Sequence, residues 1–219
     1  MGILELDNNH INLYANIIIY GNSATEELAL QIAEEIETMW NEPNGRVTLK
    51  EHEYRLRFHI KGFYEPGLQP DDVHYNTNPE NNYFRIENYA ESNISFVDGL
   101  GSNTGYFLLE NLFKGSTTAA HEYGHTLGLE HPKHLDIRGQ GTPGIMYPRG
   151  TLVDAPYQYD PQKPAGEKGG TIYTVHRRVL QQDIDNLRIN RLHFEQNKAV
   201  LGEFSSIWHE AHNRPEAIA

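Results

Sequence analysis

The spacing of apolar residues along this chain changes period several times, and each change marks an element. Ile3 to Leu6 and Ile11 to Tyr20 are β-rich runs parted by Asp7-Asn8-Asn9, a combination that predicts a hairpin. The period then lengthens. Leu28, Ile32, Ile36 and Met39 recur at i, i+4, i+8 and i+11 beside a run of glutamates, which predicts a helix capped by Ser23 and lasting to about Trp40. Asn41 to Gly45 ends it. Tyr54, Leu56, Phe58 and Ile60 then alternate with Arg55, Arg57, His59 and Lys61, a strand with one wet face. Tyr83 to Asn88, Asn93 to Val97 and Tyr106 to Glu110 read as further strands. Gly101 to Gly105 reads as a flexible loop, without the Gly-Lys-Ser/Thr ending of a phosphate cradle.

A second helix is expected from Ser116-Thr117-Thr118. Beyond it the pattern thins. Asp154 to Gly170 is dense in Pro, Gly and Tyr and reads as a long surface loop. Val175, Val179, Leu180, Ile184, Leu187 and Ile189 predict a helix from Thr174, and Glu203 to His212 a helical tail that packs back onto the domain. The fold class expected is α+β. An α/β-type upper subdomain, residues 1–131, holds a twisted mixed sheet, a backing helix and the helix at 118. A mostly irregular lower subdomain, residues 132–219, ends in a helix. The two form one catalytic domain.

The chemistry concentrates in His121-Glu-Tyr-Gly-His125-Thr-Leu-Gly128-Leu-Glu-His131. At about 100° and 1.5 Å per residue, His121 and His125 fall on one helix face a turn apart. Two imidazoles so placed can hold one zinc ion, with Glu122 beside them to reach a water. Gly128 allows the left-handed exit from the helix that would strain a residue with a Cβ, and the turn brings back His131 as a third nitrogen ligand. Three histidines leave the fourth tetrahedral position open, the mark of a catalytic rather than a structural site. Gly144-Ile-Met146-Tyr147-Pro148 follows, with Met146 fifteen positions beyond His131, and reads as a methionine-bearing turn beneath the site.

Thr118 to His131 together with Ile145-Met-Tyr-Pro148 resembles the metzincin clan of zinc endopeptidases, and most of all its matrix-metalloproteinase-like branch. The specific motifs cover about 30 residues. The resemblance implies one catalytic zinc on His121, His125 and His131, Glu122 as general base and acid, and Gly128 and Met146 as structural residues of the site. It also implies that the last strand before the zinc helix borders the cleft and pairs with substrate backbone. That role falls on Gly105 to Leu109, with Gly105, Tyr106, Phe107, Tyr147 and Pro148 as substrate-binding candidates. Two features depart from the family. Tyr147 sits one position before the place of the astacin-like transition-state tyrosine, and Arg149-Gly150 replaces the usual wall of the S1′ pocket, so side-chain preference does not carry over. The run Ser92 to Glu110, continuing through Lys114 to Glu122, is similar to metallopeptidase domains at the C-termini of bacterial polymorphic toxins of the Rhs type.

Charge and cysteine content narrow the partners. A net charge of −12 argues against nucleic acid or an anionic membrane surface, and no apolar run is long enough to span a bilayer. Absence of cysteine excludes disulfides and a cysteine-switch propeptide, so restraint is expected from a cognate inhibitor (an immunity protein in the toxin case), from export, or from burial in a larger parent. The first residues carry no secretion signal. A bacterial protein, exported or delivered within a larger one, is the expectation, with a secreted protease trimmed of signal and pro-segment as the alternative. Calcium is an open candidate at Asp71, Asp72, Asn76 and Asn78, which without EF-hand spacing read first as turn chemistry. His52 and His59 read as solvated strand residues, and His134, His176, His209 and His212 as outside the zinc set. The activity expected is hydrolysis of peptide bonds in proteins. Its rival is a zinc-holding module that grips peptides without cutting them.

Overall fold

The computed structural model describes residues 1–213. Strands β1 (Gly2–Asp7) and β2 (His10–Tyr20) form the expected hairpin, with Asp7 opposite His10 and Asn8 taking the left-handed turn at φ +49°. Helix α1 (Glu26–Asn41) follows. Its cap is Thr25 rather than Ser23: the Thr25 hydroxyl accepts from the Leu28 N–H at 3.1 Å. The predicted stripe of Leu28, Ile32, Ile36 and Met39 is buried, together with Trp40.

Strand β3 (Arg46–Leu49), not anticipated from the alternation, pairs antiparallel with β4 (His52–Tyr64). The Asp/Asn-rich stretch contains a short helix, α2 (Pro70–His74). Asp72, Asn76 and Asn78 spend their oxygens on the N–H groups of Gln69, Asn78 and Glu80, the turn chemistry expected there. Strands β5 (Asn81–Glu87), β6 (Phe96–Val97) and β7 (Thr104–Leu108) precede helix α3 (Thr118–Thr126). After a long irregular passage come helix α4 (Gln181–Asn186) and strand β8 (Lys198–Leu201).

The result is a mixed α+β fold around a curled eight-stranded sheet in the order β3-β4-β2-β5-β7-β6, with β1 on β2 and β8 on β1. Strand β2 runs parallel to β4 and β5, and β5 parallel to β7, while β6 is antiparallel. Helix α1 makes the crossover from β2 to β4 and covers one face. Its approach to β4 is close: a Cβ on Gly62 would lie 2.2 Å from the Ala29 carbonyl oxygen. Because that neighbour is backbone, Gly62→Ala is expected to destabilise the fold by about 3 kcal/mol, read as a lower midpoint in denaturant unfolding.

Other expectations are corrected as well. Gly105 to Leu109 is not the edge of the sheet. Strand β7 lies between β5 and β6, so its ladder is occupied on both sides, and Gly105, Tyr106 and Phe107 are buried. Nor is Gly101 to Gly105 a flexible loop. Its residues are buried, the Gly101 N–H donates to the His125 carbonyl at 2.7 Å, and Ser102 bridges to Glu203. The helix from Thr174 shrinks to a 3-10 turn at Thr174–His176 and the six residues of α4. Between them Arg178 bonds the Pro143 carbonyl at 2.9 Å, which holds the chain extended.

The C-terminal part does not stay apart from the first 131 residues. Strand β8 joins β1, and residues 203–213 follow as an extended strap rather than a helix. The strap does pack back: Trp208 stacks on Tyr20, His209 pairs with Asp98 at 2.9 Å, and His212 stacks on Tyr106. No described helix is long and apolar enough to cross a membrane.

Candidate metal centre

Helix α3 carries buried residues on nearly every side, so it needs support at both ends. It starts at Thr117 with φ +61° and no side-chain cap. Glu35 on α1 supplies one instead, accepting from the Ala120 N–H at 3.3 Å, while the Trp40 indole N–H donates to the Ala120 carbonyl at 3.1 Å. At the other end Gly128 adopts φ +89°. Its N–H donates to the His125 carbonyl and that of Leu129 to the Gly124 carbonyl, both at 3.0 Å, the two bonds of a Schellman turn.

That turn does what the sequence expects of it: it returns His131 to the helix. The His131 Nε2 lies 3.1 Å from the His121 Nε2 and 3.0 Å from the His125 Nε2. The far side of each helical ring is tied down. The His121 Nδ1 donates to the Ile145 carbonyl and the His125 Nδ1 to the Leu129 carbonyl, both at 2.7 Å. Those bonds put the ring protons on Nδ1 and leave the Nε2 lone pairs facing inward. Lone pairs at this separation repel unless a cation sits among them. Three nitrogens about 2.0–2.1 Å from a tetrahedral zinc would stand ~3.3 Å apart, close to the spacing found. The residues therefore fit a metal ion. Among the described residues, these three histidines are the set of histidine and acidic groups that converges this way.

Burial tunes the same groups. It lowers all three imidazoles from their ordinary value of 6.5, His131 to about 4. As pH falls below 6.5 the unfolded chain therefore takes up protons first, and folded-state stability is lost across the window down to about 4. An ion held on the neutral nitrogens steepens that loss. Zinc-loaded protein is expected to melt well above chelated protein at pH 7.5, with the gap closing toward pH 5. Melting curves across that range, with and without chelator, check this.

Glu122 is 7% exposed, and its carboxyl makes no hydrogen bond among the described residues. Burial pushes it up to about 8, against the pull of Arg177 and Arg149. The Met146 sulfur packs against Gly124 of the helix, where a Cβ would stand 2.3 Å from it, so a larger residue there would force the methionine to shift. Its turn is held by the His121 bond to Ile145. Tyr147 and Pro148 are half-buried beside it, and a cavity of about 820 Å³ lined by His131, Met146, Tyr147 and Asp183 opens there. Gly105, Tyr106 and Phe107 are not brought to this opening, for the Tyr106 ring packs on His212 and Phe107 on Phe84.

Sequence reasoning missed Arg177. It is 3% exposed, donating from Nε to the Thr117 hydroxyl at 2.9 Å and from Nη1 to the Tyr147 carbonyl at 3.2 Å. One side chain thus ties the start of α3 to the methionine turn. No local signal marks it, since Arg177-Arg178 reads as an ordinary basic pair. Asp183, pushed up to about 6 by burial, accepts from the Leu180 N–H and caps α4 against the same turn. No protein-family model matches this chain, and no curated protein matches it.

Proposed function

We propose that this protein is a zinc-dependent endopeptidase of the metzincin type, cutting peptide bonds in protein substrates. The observation that carries the reading is the convergence of the His121, His125 and His131 Nε2 atoms beside a buried carboxyl, Glu122, that makes no hydrogen bond among the described residues. A zinc ion held by those nitrogens would supply Lewis acidity to polarise a carbonyl and acidify water. Glu122 takes the proton of the attacking water on its carboxylate and passes it to the leaving amine. Its burial suits a group that must both accept and donate near neutral pH. Gly128 and Met146 hold the ligands in register, the one by its turn and the other by its packing beneath Gly124.

The outer strand preceding α3 in the sheet is β6, so the edge at which a substrate backbone adds is assigned to β6 rather than β7. Resemblance to polymorphic-toxin peptidases supports a role as a delivered effector restrained by a cognate inhibitor. A peptide-gripping module would need the histidines but not Glu122.

The test is a search for new N-termini in a proteome incubated with zinc-loaded protein, against chelated protein and a Glu122 variant. New termini in the first sample alone support the endopeptidase. Their absence, from protein holding one zinc per chain, leaves the binding module.

A further inference from the structure

The His125 carbonyl stands in the last turn of α3, where a helix runs out of N–H groups of its own. It accepts the Gly128 N–H at 3.0 Å and, from outside the helix, the Gly101 N–H at 2.7 Å. Gly101 sits in the loop from β6 to β7, and the strap takes its other backbone group: the Glu203 N–H donates to the Gly101 carbonyl at 2.7 Å. The neighbours of Gly101 are tied to the strap as well. The Ser205 N–H donates to the Asn103 Oδ1 at 2.9 Å, and the Ser205 hydroxyl lies 2.5 Å from that of Ser102 and 2.6 Å from that of Thr104. His209 meets Asp98 at 2.9 Å. Ser102, Asn103 and Thr104 are buried, so water competes poorly for these bonds. Gly202, where the strap leaves β8, lies against the same end of α3: a Cβ there would stand 2.6 Å from the Thr126 carbonyl oxygen.

Groups that hold a metal ligand in place from behind are usually worth roughly 10–100-fold in metal affinity. We infer that the strap is a clamp on the histidine cluster: Glu203, Ser205 and His209, acting through the loop at Gly101, position His125 and so set how tightly the three histidines hold an ion. This rests on the metal reading of the cluster and adds to it positioning residues that lie far outside the motif. With the strap lifted, Gly101 loses its partner on one side. The end of α3 is then left to its own turn, the same turn that orients the His125 ring through the Leu129 carbonyl, and the ion leaves sooner.

The test lifts the strap without touching the histidines. Trp208→Ala with His209→Ala removes the stack on Tyr20 and the pair with Asp98, and both residues are half-buried, so no deep cavity results. Zinc titration against a competing chelator is expected to give an affinity about tenfold below wild type. Cobalt in place of zinc is expected to show an altered visible spectrum, which reports the ligand geometry. Rescue follows from the absence of cysteine: Ser102→Cys with Ser205→Cys places one pair where the hydroxyls stand 2.5 Å apart, close enough to bridge. Oxidising that pair in the lifted background should restore the affinity, and reducing it should remove the gain.

A lower melting temperature with zinc affinity and cobalt spectrum unchanged overturns the clamp and leaves the metal site. If the double variant does not fold, His209→Ala alone takes its place under the same criteria. If wild type binds no zinc, amide hydrogen exchange on the metal-free protein decides separately. Faster exchange at Gly128 and Leu129 in the lifted variant supports the clamp on α3 although the metal reading fails, and equal exchange overturns both.

Discussion

Glu122→Gln is expected to lower kcat/KM for peptide cleavage by about 10³-fold while the protein still holds one zinc ion per chain. Glutamine has the same shape and fills the same buried space, but it cannot take a proton from water. The wild-type carboxyl makes no hydrogen bond among the described residues, so the change breaks no tertiary hydrogen bond. It also removes a buried ionisable group, and the fold should be no less stable for it. Metal content, a melting curve and peptide turnover on one preparation check all three points. Activity within tenfold of wild type, with zinc retained, would remove Glu122 from the role of base.

Zinc affinity is where the second large effect is expected. His131→Ala should weaken zinc binding by more than ~100-fold, beyond the range that changes behind a ligand usually cost. His131 is the informative position because it is exposed and lies past the end of α3, where its loss leaves no cavity in the core. His121→Ala would also free the buried Ile145 carbonyl from its 2.7 Å partner, mixing loss of metal with loss of fold. Titration of zinc against a competing chelator measures the affinity. The melting temperature of the chelated variant should stay near that of chelated wild type, and zinc should no longer raise it. An affinity close to wild type would show that His131 is not a ligand.

The histidine cluster that could hold a metal ion is the most legible part of the chain, for a local reason. Its three histidines fall within eleven residues, and their geometry needs only one helical turn, one left-handed glycine and the return it permits. Helix α1 was legible too, because a 3.6-residue stripe beside glutamates has one satisfactory arrangement against a sheet. Even its error, Ser23 for Thr25, concerns which of two nearby hydroxyls meets the Leu28 N–H.

The region after Met146 carries little local signal. Val179, Ile184, Leu187 and Ile189 are buried as their apolar character demands, but at helical spacing in the sequence they find separate partners along an irregular chain. The bond from Arg178 to Pro143 outweighs a helical propensity worth only tenths of a kcal/mol per residue.

What the sequence determined by itself, then, is whatever arises within a few turns of chain: the hairpin, the α1 stripe, the His-Glu pattern and its glycine exit. Tertiary structure decided the rest. Strand β7 is interior because β5, about twenty residues earlier, takes one ladder and the two-residue β6 just before it takes part of the other. The strap lies flat because Tyr20, Asp98 and Tyr106 offer it partners across the sheet. Arg177 is held at the start of α3 because the Thr117 hydroxyl, 60 residues earlier, accepts its bond. A strand's neighbours and a buried charge's surroundings are contributed by other parts of the chain, and no local pattern encodes them.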